Sequence, residues 1–321
     1  MVIRVVRLFF LSLQGSEVSK SGVCRGVCVE MSSFRLFLPA LLLALVLPGL
    51  VLAKTPFKPN LGPDLPTITV TCGEVTLLLR QASQWTPGRL DFRGQPMTTE
   101  RSAYGTVFSF PGVGFIGTGH LENEPEVLTS LTFILDGQSV TPTAAMRGDR
   151  FRLERKSRIR NFDLTCVIEI HDNRLYETTT VHTEQEQPLK LVYHFMHAWV
   201  PTVSAYLAGT GDAVTTPEAL TDAQEVARKM YINEKVDWIS VYEPKSQQYG
   251  VSRLLEAPEK GEHISKIWNV PGTYRKYYLT CFSDDSVPAG FTGTWKMITS
   301  FGATAEAQWP SAAAKLAGEL K

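Results

Sequence analysis

Cysteine, excess charge and long apolar runs are all in short supply in this sequence, and each shortage excludes something. Five cysteines in 321 residues, widely spread, are too few for a disulfide-stapled scaffold, which carries a dense even set. No CxxC or Cys/His spacing suggests zinc. Lys and Arg number 32, as do Asp and Glu, so the cationic excess that nucleic-acid binding draws on is missing and no nucleic-acid partner is expected. There is no Gly-x-Ser-x-Gly elbow, HExxH helix, Asp-rich calcium loop or dinucleotide fingerprint, which disfavours serine hydrolase, zinc protease and oxidoreductase chemistry. The glycine-rich PGVGFIGTG (111–119) lacks the Lys-Ser/Thr of a phosphate loop. The expectation is therefore no metal and no cofactor.

The one long apolar run, LFLPALLLALVLPGLVL (36–52), follows the short basic start Met31-Ser-Ser-Phe-Arg35 and precedes Ala53. Basic start, apolar stretch and small-residue end are the order of a secretory signal. Pro39, Pro48 and Gly49 interrupt the run, and a bilayer span needs about 20 apolar residues, so no stable membrane span is expected after cleavage. Residues 1–53 read as leader and signal, with Met31 as the expected true start and a periplasmic or secreted product. Losing them removes five bases and two acids, which leaves the remainder slightly acidic. Cys24 and Cys28 leave as well. Cys72, Cys166 and Cys281 permit at most one disulfide, and Cys166, inside the apolar LTCVIEI, is expected to be a buried free thiol.

Residues 54–66 hold four prolines and read as an extended lead-in. From Thr67, strand-sized runs rich in β-branched and aromatic residues recur between turn signals: ITVTC, VTLLLR, GTVFSF, SLTFILDG, FRLERKS, LTCVIEIH, LYETTTVHT, DWISVY and YRKYYLTCF among them. Such spacing indicates an all-β sandwich or barrel. One inserted helix is expected after Thr216 and Pro217, through EALTDAQEVARKMY (218–231), where Leu220, Ala223, Ala227 and Met230 recur at helical spacing. A C-terminal helical tail is expected over 310–321.

Three segments carry candidate chemistry. In LKLVYHFMHAW (189–199), an unbroken strand puts Tyr193, Phe195, His197 and Trp199 on one face and His194 and Met196 on the other. His197 is then either a general acid or base beside an aromatic sugar platform of Tyr193 and Trp199, or a hydrogen-bonded core histidine. In GTGHLENEPE (117–126), His120 and Glu122 share a face if the strand continues, and otherwise belong to a solvated turn. In GDRFRLERKSRIR (148–160), Arg152, Glu154, Lys156, Arg158 and Arg160 form a solvated face, while Arg155 lies on the apolar side, where a guanidinium needs a carboxylate or a ligand.

With these segments in view, residues 67–309 resemble the galactose mutarotase-like supersandwich, a large two-sheet antiparallel fold of sugar epimerases and of domains in glycoside hydrolases and polysaccharide lyases. YHFMHAW (193–199) looks like the family's catalytic His-aromatic stretch, and VPAGFTGTWKMITSF (287–301) like its closing turn and strand. The resemblance implies a carbohydrate ligand, His197 as catalytic acid, and a groove lined by Tyr193, Trp199, His120, Glu122, Arg155 and Trp268. It departs from the family at the general base: HISKIWNVPGTYRKYY (263–278) offers Trp268, Asn269 and Arg275 but no Glu. Glu243 or Glu256 would have to substitute. Acid–base turnover of epimerase, lyase or hydrolase type, glycan binding without turnover, and a structural envelope role all stay open.

Overall fold

The computed structural model describes residues 66–321 apart from 101–103, 121, 212 and 223–229. The leader, the signal and the proline-rich lead-in up to residue 65 lie outside the described residues. The described chain starts with β1 (Thr67–Cys72), β2 (Val75–Arg80), β3 (Pro87–Phe92), β4 (Gln95–Pro96), β5 (Val107–Phe110), β6 (Gly114–Gly117), β7 (Val127–Leu135) and β8 (Gln138–Val140). It continues through β9 (Ala145–Gly148), β10 (Phe151–Ile159), β11 (Phe162–His171), β12 (Arg174–Thr183), β13 (Gln187–Leu189), β14 (Leu191–Trp199), β15 (Ala205–Thr210) and β16 (Ala213–Val214). It closes with β17 (Glu218–Ala219), β18 (Ile232–Glu234), β19 (Trp238–Glu243), β20 (Gln248–Glu256), β21 (Ile264–Val270), β22 (Tyr274–Cys281), β23 (Asp285–Val287), β24 (Phe291–Ala303) and the helix α1 (Trp309–Glu319).

Two large sheets form the sandwich. One has eleven strands in the order β16-β15-β19-β20-β24-β12-β11-β10-β7-β8, with β17 beside β15, and the other has six in the order β18-β21-β22-β14-β5-β6. Smaller sheets of five strands (β4-β3-β2-β1-β9) and two (β13-β23) flank them. Among the described residues pairing is antiparallel throughout the two large sheets, as expected, and parallel only between β1 and β9 of the small five-stranded sheet. In β10, β11 and β12 buried and half-exposed positions alternate, because one sheet face meets the core and the other meets solvent.

Aromatic side chains close the gap between the sheets. Phe108 of β5 stacks on Phe162 of β11 at 4.2 Å, His194 of β14 lies 4.2 Å from Trp295 of β24, and Trp199 of β14 meets Phe301 of β24 edge-on. Gly250 on β20 makes room for that tryptophan, since a Cβ there would lie 2.4 Å from the ring. The tail helix is where the sequence placed it. It packs Trp309, Ala313 and Ala317 against Tyr242, Tyr249 and Ile298 on the other face of the eleven-stranded sheet. The inserted helix is corrected at its start: Glu218 and Ala219 pair with Tyr206 and Ala205 as strand β17, because an exposed edge of β15 is there to satisfy their backbone groups. Residues 223–229 of that expectation lie outside the described residues.

Cys72, Cys166 and Cys281 are all buried and free. No helix among the described residues is long and apolar enough to cross a membrane.

Candidate functional site

The site is set by one irregularity in β14. Opposite residues in an antiparallel pair point their side chains the same way, so the register of β14 on β22 assigns the faces. Tyr193 faces Thr280 and His194 faces Leu279; then the register slips, and His197 faces Tyr277, Ala198 faces Lys276 and Trp199 faces Arg275. The slip is a β-bulge centred on Phe195, whose φ of +53° is unusual for a bulky residue. An extra residue reverses the alternation beyond it. Tyr193 and Met196 therefore share the outer face with Ala198, whereas His194, His197 and Trp199 all turn inward.

This corrects the grouping expected for an unbroken strand. His197 and Trp199 are buried between the sheets, at 3% and 1% exposure, and do not line a groove with Tyr193. The His197 Nε2–H donates to Glu177 Oε2 at 2.6 Å, and Ser252 Oγ lies 3.4 Å from Nδ1. Arg155 is likewise interior: its guanidinium pairs with Glu126 at 2.8 Å and donates to Thr118 Oγ1 at 3.2 Å. The carboxylate that its apolar surroundings demanded is thus supplied by the protein itself. Arg155 and Glu177 border a cavity of about 20 Å³ with Cys166, Thr118 and Phe195, room for about one water and none for a sugar.

The outer face of the six-stranded sheet holds a cleft of about 420 Å³. Strand alternation builds its floor: Tyr274, Lys276, Tyr278 and Thr280 are every second residue of β22, and Lys266 and Trp268 lie opposite Tyr278 and Lys276 on β21. Tyr193 and Met196 come from β14, Phe115 from β6, Tyr104 from its bridge to Met196, and His120 and Glu122 from the turn after β6. Of the residues singled out in the sequence, Tyr193, His120, Glu122 and Trp268 meet here. Tyr104, Phe115, Tyr274, Lys276 and Tyr278 were not foreseen, although the alternation in YRKYYLT was there to be read. Glu243 and Glu256 are elsewhere: Glu243 accepts the Ser246 backbone N–H at 2.7 Å, and Glu256 pairs with Lys296 at 2.6 Å.

The rings are close enough to act together. His120 lies 4.9 Å from Tyr104 and 5.6 Å from Phe115, and Tyr193 lies 5.9 Å from Phe115 and 5.7 Å from Tyr278. The Lys276 ammonium is 4.9 Å from the centre of the Trp268 ring and between 5.6 and 5.8 Å from those of Tyr274, Tyr278 and Tyr104. Burial pushes its pKa down to about 8. Burial also lowers His120, against the opposing pull of Glu122 and with a small push from Lys276. It lifts Tyr278 to about 12 and Tyr193 well above the usual phenol range. At neutral pH the described residues of the cleft thus offer one buried cation, a neutral imidazole and protonated phenols on an aromatic bed.

Two other open depressions, of about 460 and 610 Å³, contain no Trp, Tyr or Phe among the described residues. No group of three or more potential metal ligands occurs among the described residues.

No family model and no curated protein matches the chain. Solved structures do. The Slr1438 protein of Synechocystis sp. PCC 6803 matches with a TM-score of 0.51 at 11% identity, over 78% of this chain and 99% of its own. A putative aldose 1-epimerase from Escherichia coli K12 matches with a TM-score of 0.44 at 10% identity, over 74% and 99% of the two chains. A galactose mutarotase-like protein from Lactobacillus casei ATCC 334 matches at 0.46 and 9%, over 74% and 100%. At such identities a likeness speaks for fold alone, and the first is the one that carries it. The chain shares the fold of the Slr1438 protein, an all-β sandwich of the kind that the strand-sized runs and turn signals led us to expect.

Proposed function

We propose that this is an exported carbohydrate-binding protein whose ligand lies in the aromatic cleft on the six-stranded sheet. The observation that carries the reading is the convergence of Trp268, Tyr274, Tyr278, Tyr193, Tyr104 and Phe115 on one cleft with few polar groups among them. A sugar ring has C–H faces that pack on aromatic planes and hydroxyls that need placed donors and acceptors. Thr280, His120, Glu122, Lys276 and the phenols supply those. The volume falls within the range of small-ligand sites, roughly 300 to 1,000 Å³, and the supersandwich resemblance of residues 67–309 points the same way. Export rests on the signal-like order of residues 31–53, and N-terminal sequencing of protein from its host is expected to find a chain starting at or near Lys54.

A second reading, turnover of the bound sugar, is favoured by one specific observation: two titratable groups, His120 and Lys276, face the same cleft with pKa values drawn toward neutrality or below. Such groups suit general acid–base work. A mixed glycan panel, with released products assayed in the same wells, tests both readings. Binding without product supports the first, product formation the second, and no binding to any glycan rejects the cleft as a sugar site.

A further inference from the structure

We propose that the carbohydrate held in this cleft is an acidic one, with a single carboxylate seated on Lys276. The inference rests on reading the cleft as a sugar site and adds the charge of the ligand. It starts from a buried cation without a counter-charge. Lys276 is 8% exposed, and no described carboxylate lies within ion-pair distance of it. The other cations buried as deeply are paired, Arg155 with Glu126 and Arg275 with Asp222. A charge removed from water is costly unless paired. The four rings around the ammonium attract it through their π faces but carry no net negative charge, so they hold a cation in place without neutralising it. The side chain is also fixed in position, because β21 and β14 flank β22 and set Lys276 opposite Trp268 and Ala198.

The cleft wall contains a second unsatisfied group. His120, also 8% exposed, has its Nδ1 buried without a hydrogen-bond partner. It is near enough to Lys276 for that charge to lower its pKa. A carboxylate beside a ring hydroxyl offers partners to a cation and an imidazole nitrogen together. The alternatives fit less well. No Arg among the described residues lines the cleft, so these residues offer no planar fork suited to phosphate or sulfate oxygens. Lys266, the other cation of the cleft, is already bonded to Asn233, and the exposed Glu122 at the edge opposes a second negative charge. One point charge under a sugar-sized aromatic bed matches a uronic acid.

The test is calorimetric titration of the protein at pH 7 with oligogalacturonate and oligoglucuronate, their neutral galacto- and gluco-oligosaccharide counterparts, galactose 6-phosphate and a galactose sulfate. An acidic oligosaccharide is expected to bind about 10-fold or more tighter than its neutral counterpart, the size of one charge-assisted hydrogen bond. Lys276→Met should erase that preference and Lys276→Arg should keep most of it. Melting of Lys276→Met at or above the parent temperature shows that the lost preference is not lost folding. Trp268→Ala should weaken acidic and neutral sugars alike. Equal binding of both, or a preference that survives Lys276→Met, overturns the carboxylate assignment and leaves the sugar cleft standing. So does tighter binding of the phosphate or the sulfate. No binding of any of these sugars overturns both.

Discussion

His197 Nε2 and Glu177 Oε2 meet at 2.6 Å in the interior between the two large sheets, joining β14 to β12. Ser252, which shares a hydrogen bond with Thr299 at 2.8 Å, approaches the other ring nitrogen. The pair is fully enclosed, so His197 works as a strut between sheets. His197→Ala leaves a carboxylate buried without a partner and is expected to lower stability by about 3 kcal/mol in urea denaturation. Affinity for sugar should stay unchanged. Weakened binding at unaltered stability would return His197 to the ligand site.

Arg155 and Glu126 form the other interior pair, at side-chain exposures of 1% and 0%. Arg155→Met strands Glu126 and should destabilise by about 3 to 5 kcal/mol. Arg155→Met combined with Glu126→Leu removes both charges and should recover a large part of that loss, because the desolvation penalty goes with them. A double variant no more stable than the single one would show that the Thr118 and Ser157 hydrogen bonds to the pair, not its charges, hold this region.

The strands were legible because alternation and turn residues are local signals. Thus FRLERKSRI and LTCVIEI could be read directly, and Arg155 was recognised as a guanidinium on the wrong face. The cleft was half legible for the same reason. Trp268, Tyr193, His120 and Glu122 were found, but the face of β14 was not, because a single bulge at Phe195 exchanges the two sides of the strand. Nothing in YHFMHAW marks it: Phe is a poor residue for positive φ, and the bulge is imposed by pairing with β22, a partner some 80 positions away. An isolated lysine in a strand reads as solvent-facing, so YRKYYLT does not mark Lys276 as buried. The rings around it include Tyr104 and Trp268 of β21, which reach it only in the folded chain.

Cys72, Cys166 and Cys281 are buried thiols. Burial raises all three pKa values, that of Cys72 to about 11, and thiol reagents attack only the thiolate. Brief treatment of the native protein with iodoacetamide, read by mass spectrometry of the three peptides, should leave them unmodified; treatment in guanidinium should label all three. Rapid native labelling of Cys166 would show that β11 exposes its inner face.

His194 is completely buried, bonded through Nδ1 to Thr106 Oγ1 at 2.9 Å, with no partner for Nε2. Burial pushes its pKa down to about 3. The unfolded chain therefore takes up a proton near pH 6.5 that the folded chain refuses, so stability is lost as pH falls from about 6.5 toward 3, by up to roughly 5 kcal/mol from this group. His120 and His263 shift in the same direction. Urea denaturation between pH 7 and 5, above most carboxylate titration, isolates the effect. His194→Phe should flatten the slope, and an unchanged slope would assign the acid sensitivity elsewhere.

The charge on Lys276 makes ligand binding itself depend on pH, with a definite sign. With a pKa of about 8 in the free protein, the ammonium is charged at pH 7 and is lost as pH rises through 8. A bound carboxylate favours the charged form, so the complex titrates at higher pH than the free protein. Between those two values the complex holds a proton that the free protein has released, and affinity for an acidic sugar should fall by up to about tenfold per pH unit. The other cleft groups do not imitate this. Tyr278 and Tyr193 keep their protons, since burial lifts Tyr278 to about 12 and Tyr193 well above the usual phenol range. His120 is already neutral because burial lowers it. Lys266 is lowered by burial as well, and Lys266→Gln separates its share. Titrations at pH 7, 8 and 9 should show the loss for oligogalacturonate, none for a neutral oligosaccharide, and none for Lys276→Arg, whose guanidinium stays charged throughout. Affinity for the acidic sugar that stays level from pH 7 to 9 would mean that Lys276 does not touch the anion.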